Sequence, residues 1–257
     1  MSTQTLTPTA ASGATASNAA TSHPDASGAS PSAVRPQRVL VVGATGGTGR
    51  AAVARLAADG HAVTAFSRRA SRLTDAAEGL GVNGLATIDG DATDSEAVQA
   101  AVAGQDAVVV TLGIAENPLR VRVLGPARTP IDIRSRGTQT VIDAMRAEGV
   151  RRLVVQSTFG VGATRDLLGV SDSLFFGLLL KPQIDDTERQ EAAVRASGLD
   201  WTLVQPVHLS DGPEAAPFLS LDGTTREMKV SRASVARFLA EAVARPDTVG
   251  TSVTVSG

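Results

Sequence analysis

The stretch Arg38-Val-Leu-Val-Val-Gly-Ala-Thr-Gly-Gly-Thr-Gly49 decides how this chain is read. Its first five residues are a short apolar, β-branched run, which predicts a strand. Residues 43–49 read as a turn. Residues 50–58 read as a helix, with Ala51, Val53, Ala54 and Leu56 suited to a buried stripe. Glycines between a strand and a helix have a mechanical use. Gly43 permits a tight exit from the strand, Gly46 lets backbone approach a phosphate, and Gly49 lets the helix pack on the sheet. The helix N-terminus then offers free N–H groups and a positive dipole end to a pyrophosphate. Gly43, Thr45, Gly46, Gly47, Thr48 and Gly49 are therefore candidate cofactor-binding residues. The spacing is Gly-x-x-Gly-x-x-Gly, one residue longer than the commonest dinucleotide fingerprint.

Outward from this turn, strand-like and helix-like segments alternate. Residues 61–67, 85–88, 107–112, 153–157, 201–204 and 252–255 are predicted strands, and residues 94–102, 131–148, 185–196 and 231–244 predicted helices. Asp59-Gly60, Gly149 and Ser197-Gly198 supply helix stops. The run Ala107-Val-Val-Val-Thr-Leu112 is almost continuously apolar, as a strand covered on both faces should be. The alternation predicts an α/β fold: a single Rossmann-like, doubly wound parallel sheet with helices on both faces, spanning residues 37–257.

Residues 1–36 are mostly Ser, Thr, Ala, Gly and Pro and are expected to be a disordered tail, since they cannot bury enough apolar surface to offset their ordering entropy. They lack the basic and apolar regions of a secretory signal. No apolar run reaches membrane-spanning length; the densest, residues 174–180 (Leu-Phe-Phe-Gly-Leu-Leu-Leu), reads either as core or a subunit contact or as an apolar wall over a substrate. The 257 residues carry 24 Lys and Arg against 26 Asp and Glu, a net charge of −2, which gives no field for capturing nucleic acid. There is no Cys, so disulfides, thiolate metal sites and Cys nucleophiles are excluded. The expected setting is cytoplasmic, away from membranes, with a small-molecule acceptor as partner and a monomeric or weakly associating chain.

The end of the second predicted strand addresses cofactor choice. An NAD-preferring site usually carries an acid there, bonded to the ribose 2′-hydroxyl. This chain reads Ser67-Arg-Arg-Ala-Ser-Arg72, with no acid. Arg68 lies at the expected interval of about 20 residues after the glycine turn. A guanidinium there can take a 2′-phosphate in bidentate fashion, so NADP(H) is expected over NAD(H). Asp91, after the third strand, can accept from an adenine amino group. Leu112 and Gly113 end the fourth strand, where open α/β sheets bind ligands.

Together these residues resemble the atypical short-chain dehydrogenase/reductase superfamily. Within it, the chain is similar to the NADPH-dependent flavin reductase/biliverdin-IXβ reductase group and the related NmrA-like proteins. The resemblance covers nearly all of residues 38–257. Its carriers are the glycine turn, Arg68 with Ser71-Arg-Leu73, Gly90-Asp91, Ala103-Gly-Gln-Asp-Ala-Val-Val-Val-Thr-Leu-Gly113, and Ser197-Gly-Leu-Asp-Trp-Thr-Leu-Val-Gln-Pro-Val-His208. It implies that Arg68 and Arg72 hold the 2′-phosphate, that Asp91 and Ala92 flank adenine, and that Gly113 lines the cofactor groove. It also implies that Thr158 lies near the nicotinamide, and that Pro206, His208 and Leu209 close over that end. The chain departs from the group in three ways. Thr187 stands near a family His, no Arg is found around Ala115, and residues 118–130 and 162–182 form longer connections at the expected substrate mouth.

Ordinary short-chain dehydrogenases use a Tyr-x-x-x-Lys pair, and this chain has no Tyr; its lysines are Lys181 and Lys229. Carbonyl reduction and sugar-nucleotide epimerisation through that Tyr are therefore excluded. Hydride transfer to a flavin or quinone needs no protein acid, because the acceptor can take its proton from solvent and the protein's task is orientation. Thr158 and His208 are the polar candidates for the catalytic end. The acids Asp185, Asp186, Glu188 and Glu191 read as N-terminal helix residues favoured by the macrodipole rather than as a metal site. The expected function is an NADPH-dependent oxidoreductase acting on a planar conjugated acceptor. The alternative is a non-catalytic NADP(H)-binding sensor of the NmrA-like kind.

Overall fold

The computed structural model describes residues 35–73, 85–114, 129–167 and 181–257. The expectations for most of the tail, for residues 174–180, for the position around Ala115 and for most of the connections 118–130 and 162–182 lie outside the described residues. In chain order the elements are β1 (Arg38–Val42), α1 (Gly47–Ala58), β2 (Ala62–Ser67), β3 (Ala86–Asp89), α2 (Ser95–Val102), β4 (Ala107–Val110), α3 (Ile133–Glu148) and β5 (Arg152–Gln156). There follow α4 (Lys181–Arg195), β6 (Asp200–Pro206), β7 (His208–Ser210), β8 (Phe218–Ser220), β9 (Lys229–Ser231), α5 (Arg232–Val243) and β10 (Thr251–Ser256).

Eight strands form one sheet in the order β3-β2-β1-β4-β5-β6-β10-β8. Every pairing is parallel except that of β8 with β10. This is the doubly wound Rossmann-like sheet the alternation predicts. β8 and a small parallel pair, β7 with β9, are additions that three-residue strands did not announce in the sequence. The order reverses between β1 and β4, which both lie at the centre of the sheet.

The strand side chains divide between two layers with the period of two that a pleated strand imposes. Val39, Val41, Ala107, Val109, Val154 and Val204 pack on one face with α1 and α5. Leu40, Val42, Val108, Val110, Leu153, Val155 and Leu203 pack on the other with α2 and α3. Burial on both faces explains why β4 reads as an unbroken apolar run. Glycine closes α3: Gly149 takes φ 72°, left-handed backbone that costs a side-chain-bearing residue and not glycine.

Helix starts differ from the sequence reading at two places. α1 begins at Gly47, three residues earlier than the predicted start at residue 50, because the glycine turn itself supplies its first turn. α4 begins at Lys181 rather than Asp185. That shift moves the acids of residues 185–191 out of the helix's first residues, with consequences for the site.

Candidate cofactor cleft

The cleft opens at the carboxyl ends of β1 and β4, at the strand-order reversal where open α/β sheets bind ligands. Its walls include Gly43, Thr45, Gly46, Arg68, Asp91, Ala92, Leu112 and Gly113, all singled out from sequence. Phe66, Ser67, Gly90, Thr111, Thr129, Pro130 and Ile133 complete it.

The glycine turn is built by close approach. Gly43 has φ 86°, and a Cβ there would lie 2.9 Å from the carbonyl oxygen of Thr111. The Gly43 and Ala44 N–H groups both donate to Phe66 O, at 2.9 and 3.3 Å, so the turn is tied to the end of β2. A Cβ on Gly90 would strike the Phe66 ring at 2.7 Å, which explains bare backbone at that wall. Gly137, in the second turn of α3, lets the helix close on Leu112 and Ala92.

Helix N-termini separate into two kinds. Asp94 caps α2 by accepting from the N–H groups of Glu96 and Ala97, and Ser231 caps α5 by accepting from Ser234 N–H. α3 receives its cap from another helix. Asp186 of α4 accepts from Arg134 N–H at 3.0 Å, Ser135 N–H at 3.3 Å and the Ser135 hydroxyl at 2.5 Å. The N-cap of α1 is Gly46, which has no side chain to cap with, and no acid stands in the helix's first turn. Among the helices whose starts are described, α1 alone reaches the cleft wall through a cap residue, Gly46, with no side chain capping the first N–H groups behind it. Such a terminus fits a phosphate.

Beside the cleft lies a basin lined by Thr45, Arg50, Arg68, Arg69 and Arg72. Sequence reasoning named Arg68 and Arg72; Arg50 and Arg69 join them because the first turn of α1 and the bend after β2 meet here. A carboxylate does stand nearby, Asp89 at the end of β3. Its two oxygens accept from the Ser71 N–H and hydroxyl, each at 2.8 Å. Those bonds hold the Asp89 carboxyl below its ordinary range and fix the arginine-bearing bend. Asp91 is also held below the usual carboxylate range, chiefly by the Thr93 N–H and hydroxyl, with Arg68 and Arg136 adding attraction. It is an anionic acceptor on the cleft wall.

The remaining candidates sit further along the carboxyl edge. Ser157 N–H donates to Val204 O and Phe159 N–H to Pro206 O, which brings Thr158 alongside Pro206. Thr158 is half-buried, and its hydroxyl makes a long contact of 3.4 Å with Phe159 O. His208 is exposed on β7, in register with Lys229, and Leu209 packs on the α1–α5 layer. Thr158, Pro206, His208 and Leu209 are not among the residues lining the cleft at β1 and β4, nor are Gly47, Thr48 and Gly49, whose backbone forms the first turn of α1.

Sequence reasoning missed Glu191. The reading of residues 185–191 as first-turn acids is corrected by the start of α4 at Lys181. Asp185 and Glu188 do lie at the surface, paired with Lys181 and Arg165. Asp186 and Glu191 are 1% and 3% exposed. Glu191 accepts from the Ser157 hydroxyl at 2.5 Å and from Gln205 Nε2 at 2.8 Å, and pairs with Arg195 at 2.8 Å. Gln205 Nε2 also reaches Val161 O. A buried carboxylate with several donors thus pins the loop that carries Thr158. Thr187, in place of the family His, is buried and spends its hydroxyl on Gln183 O.

Comparison with known proteins agrees with this geometry. A model of the NAD(P)H-binding family matches residues 43–246. The chain belongs to that family. It is 40% identical over 121 residues to a 3-diazoavenalumate denitrifying reductase of a Streptomyces species, a match covering 47% of this chain and 37% of the relative. The chain therefore spans little more than a third of that relative's length. ChuY, an anaerobilin reductase from Escherichia coli O157:H7, superposes with a TM-score of 0.67 at 23% identity, covering 85% of this chain and 96% of ChuY. A short-chain dehydrogenase/reductase from Veillonella parvula, solved with NADP, gives 0.69 at 17% identity, covering 86% and 94%. These structures share the Rossmann-like fold, as the atypical short-chain dehydrogenase/reductase resemblance implies. No helix among the described residues is long and apolar enough to cross a membrane, and no cluster of His, Cys, Asp and Glu there could hold a metal ion.

Proposed function

We propose that this protein is a cytoplasmic, NADPH-dependent oxidoreductase that passes hydride to a small planar conjugated acceptor, a flavin or quinone, without a Tyr–Lys pair. The observation that carries the reading is the uncapped N-terminus of α1 facing the cleft, flanked by an arginine basin. The family match and the reductase relative support a reductase; the arginines of the basin support NADP(H) over NAD(H).

In this reading the α1 N–H groups hold the diphosphate, Arg68 and Arg72 the 2′-phosphate, and Asp91 and Ala92 flank adenine. The bound dihydronicotinamide supplies the hydride. The acceptor gains that hydride and one proton from solvent, leaving oxidised cofactor and reduced acceptor. Thr158 and His208 orient the acceptor, and Glu191 acts through Ser157 to hold the Thr158 loop in place. With no protein acid in the proton path, orientation supplies the acceleration.

The test is NADPH oxidation with FMN, riboflavin and a panel of small quinones, with cofactor binding titrated in parallel. Turnover above the free-acceptor background, reduced in Thr158→Val and His208→Ala, is the expected result. Tight NADPH binding with no turnover on any acceptor overturns the reductase reading in favour of an NADP(H) sensor.

A further inference from the structure

Arg232 is the first residue of α5, and its side chain lies across the glycine turn of a different helix. A Cβ built on Gly47 would fall 2.8 Å from Arg232 Cδ, 2.9 Å from its Nε and 3.8 Å from Cζ. The guanidinium therefore fills the space that a side chain at position 47 would claim. A side chain at position 47 would displace Arg232 from the turn.

This is an unfavourable place for a cation. Arg232 sits at the positive end of its own helix and against the positive end of α1, and neither first turn contains an acid. Helix dipoles favour anions at both points. One carboxylate offsets the mismatch: Asp211, which follows β7, accepts from Arg232 Nη1 at 2.6 Å while remaining 93% exposed. A surface pair of that kind contributes little to stability. The arrangement becomes favourable when an anion reaches the α1 N-terminus, because the guanidinium and the helix N–H groups then act on the same charge.

We propose that Arg232 is a cofactor-binding residue that clamps the diphosphate from the side of α5, with Asp211 as its counter-ion in the free protein. The proposal rests on the cofactor reading above and adds to it a cation that the glycine fingerprint itself lacks. The diphosphate is common to NADPH and NADH, so Arg232 serves affinity, whereas the arginine basin serves the choice between the two.

The test is titration of NADPH and NADH against the full chain by fluorescence, for wild type, Arg232→Ala and Asp211→Ala. Arg232→Ala is expected to weaken both cofactors by a like factor, about ten- to hundredfold, and to flatten the salt dependence of binding. Asp211→Ala is expected to leave affinity unchanged or tighter, since it frees the guanidinium. The proposal is overturned if Arg232→Ala leaves both affinities intact, or if it alters only the NADPH-to-NADH ratio. It is equally overturned if Asp211→Ala weakens binding as much as Arg232→Ala, because the pair is then a structural latch. A wild-type chain that binds neither cofactor removes the cofactor reading itself, and this proposal with it.

Discussion

The N-termini of α1 and α3 both border the cleft, and the chain treats them in opposite ways. α3 is closed from within: buried Asp186 reaches from α4 to take its Arg134 and Ser135 N–H groups. α1 has Gly46 at its cap position and no acid in its first turn. In the proposed reading the same backbone geometry serves architecture in one helix and recognition in the other. What separates them is whether the protein supplies the anion itself.

Four experiments would break or sharpen that contrast. The largest effect is expected from Asp186→Ala. It strips α3 of its cap and leaves the half-buried Arg134 and Ser135 N–H groups without that acceptor, so urea denaturation should show a loss of about 1–2 kcal/mol. An unchanged midpoint would mean that α3 does not depend on its borrowed cap. Next, Gly46→Asp gives α1 a cap of the kind Asp94 gives α2. A Cβ there meets Gly43 O at 3.3 Å, a contact that small shifts relieve. Calorimetric titration should show NADPH affinity falling by about tenfold or more. The free protein should stay as stable or gain a few tenths of a kcal/mol. Equal affinity would show that no phosphate approaches this terminus.

Arg68→Ala separates the basin from the helix end. It should weaken NADPH by about tenfold and leave NADH within about twofold, as loss of a phosphate contact and not of the diphosphate cradle. The smallest effect concerns pH. Asp91 is held below its ordinary range by Thr93, so its bonds stabilise the fold above the usual carboxylate pKa, and that contribution disappears as pH falls through the depressed value. The stability gap between wild type and Asp91→Asn, measured by thermal melts, should be open at pH 7 and close below about pH 4. A gap that widens on acidification would contradict the assignment.

The sheet and the cleft wall were legible because their signals are local. Valine runs buried on both faces, glycines at fixed offsets and helix-stopping Gly149 each act within a few residues. α4 was legible only in part. Its buried positions include Asp186, Thr187, Gln190 and Glu191, and of that inward row only Val194 is apolar. Hydrophobic periodicity cannot find a helix face that is polar because it hydrogen-bonds to α3 and to the Thr158 loop. Glu191 looked like a surface acid for the same reason; its partners Ser157 and Gln205 are distant in sequence. Arg232 escaped notice because its significance depends on Gly47, in another helix. β7, β8 and β9 have three residues each, too few for an alternation to register.

The position of β10 bears on how the protein is made. This strand lies between β6 and β8, and among the described residues β8 pairs with nothing else in the sheet. A ribosome releases β1 to β6 before residues 251–256, so β6 exists for a time without its β10 neighbour. Through that interval the outer edge of β6 stands open to any extended segment that drifts past, the situation in which nascent chains stick to one another. β10 therefore both covers the β6 edge and brings β8 into the sheet, and chaperones would find their opportunity at that edge until it does.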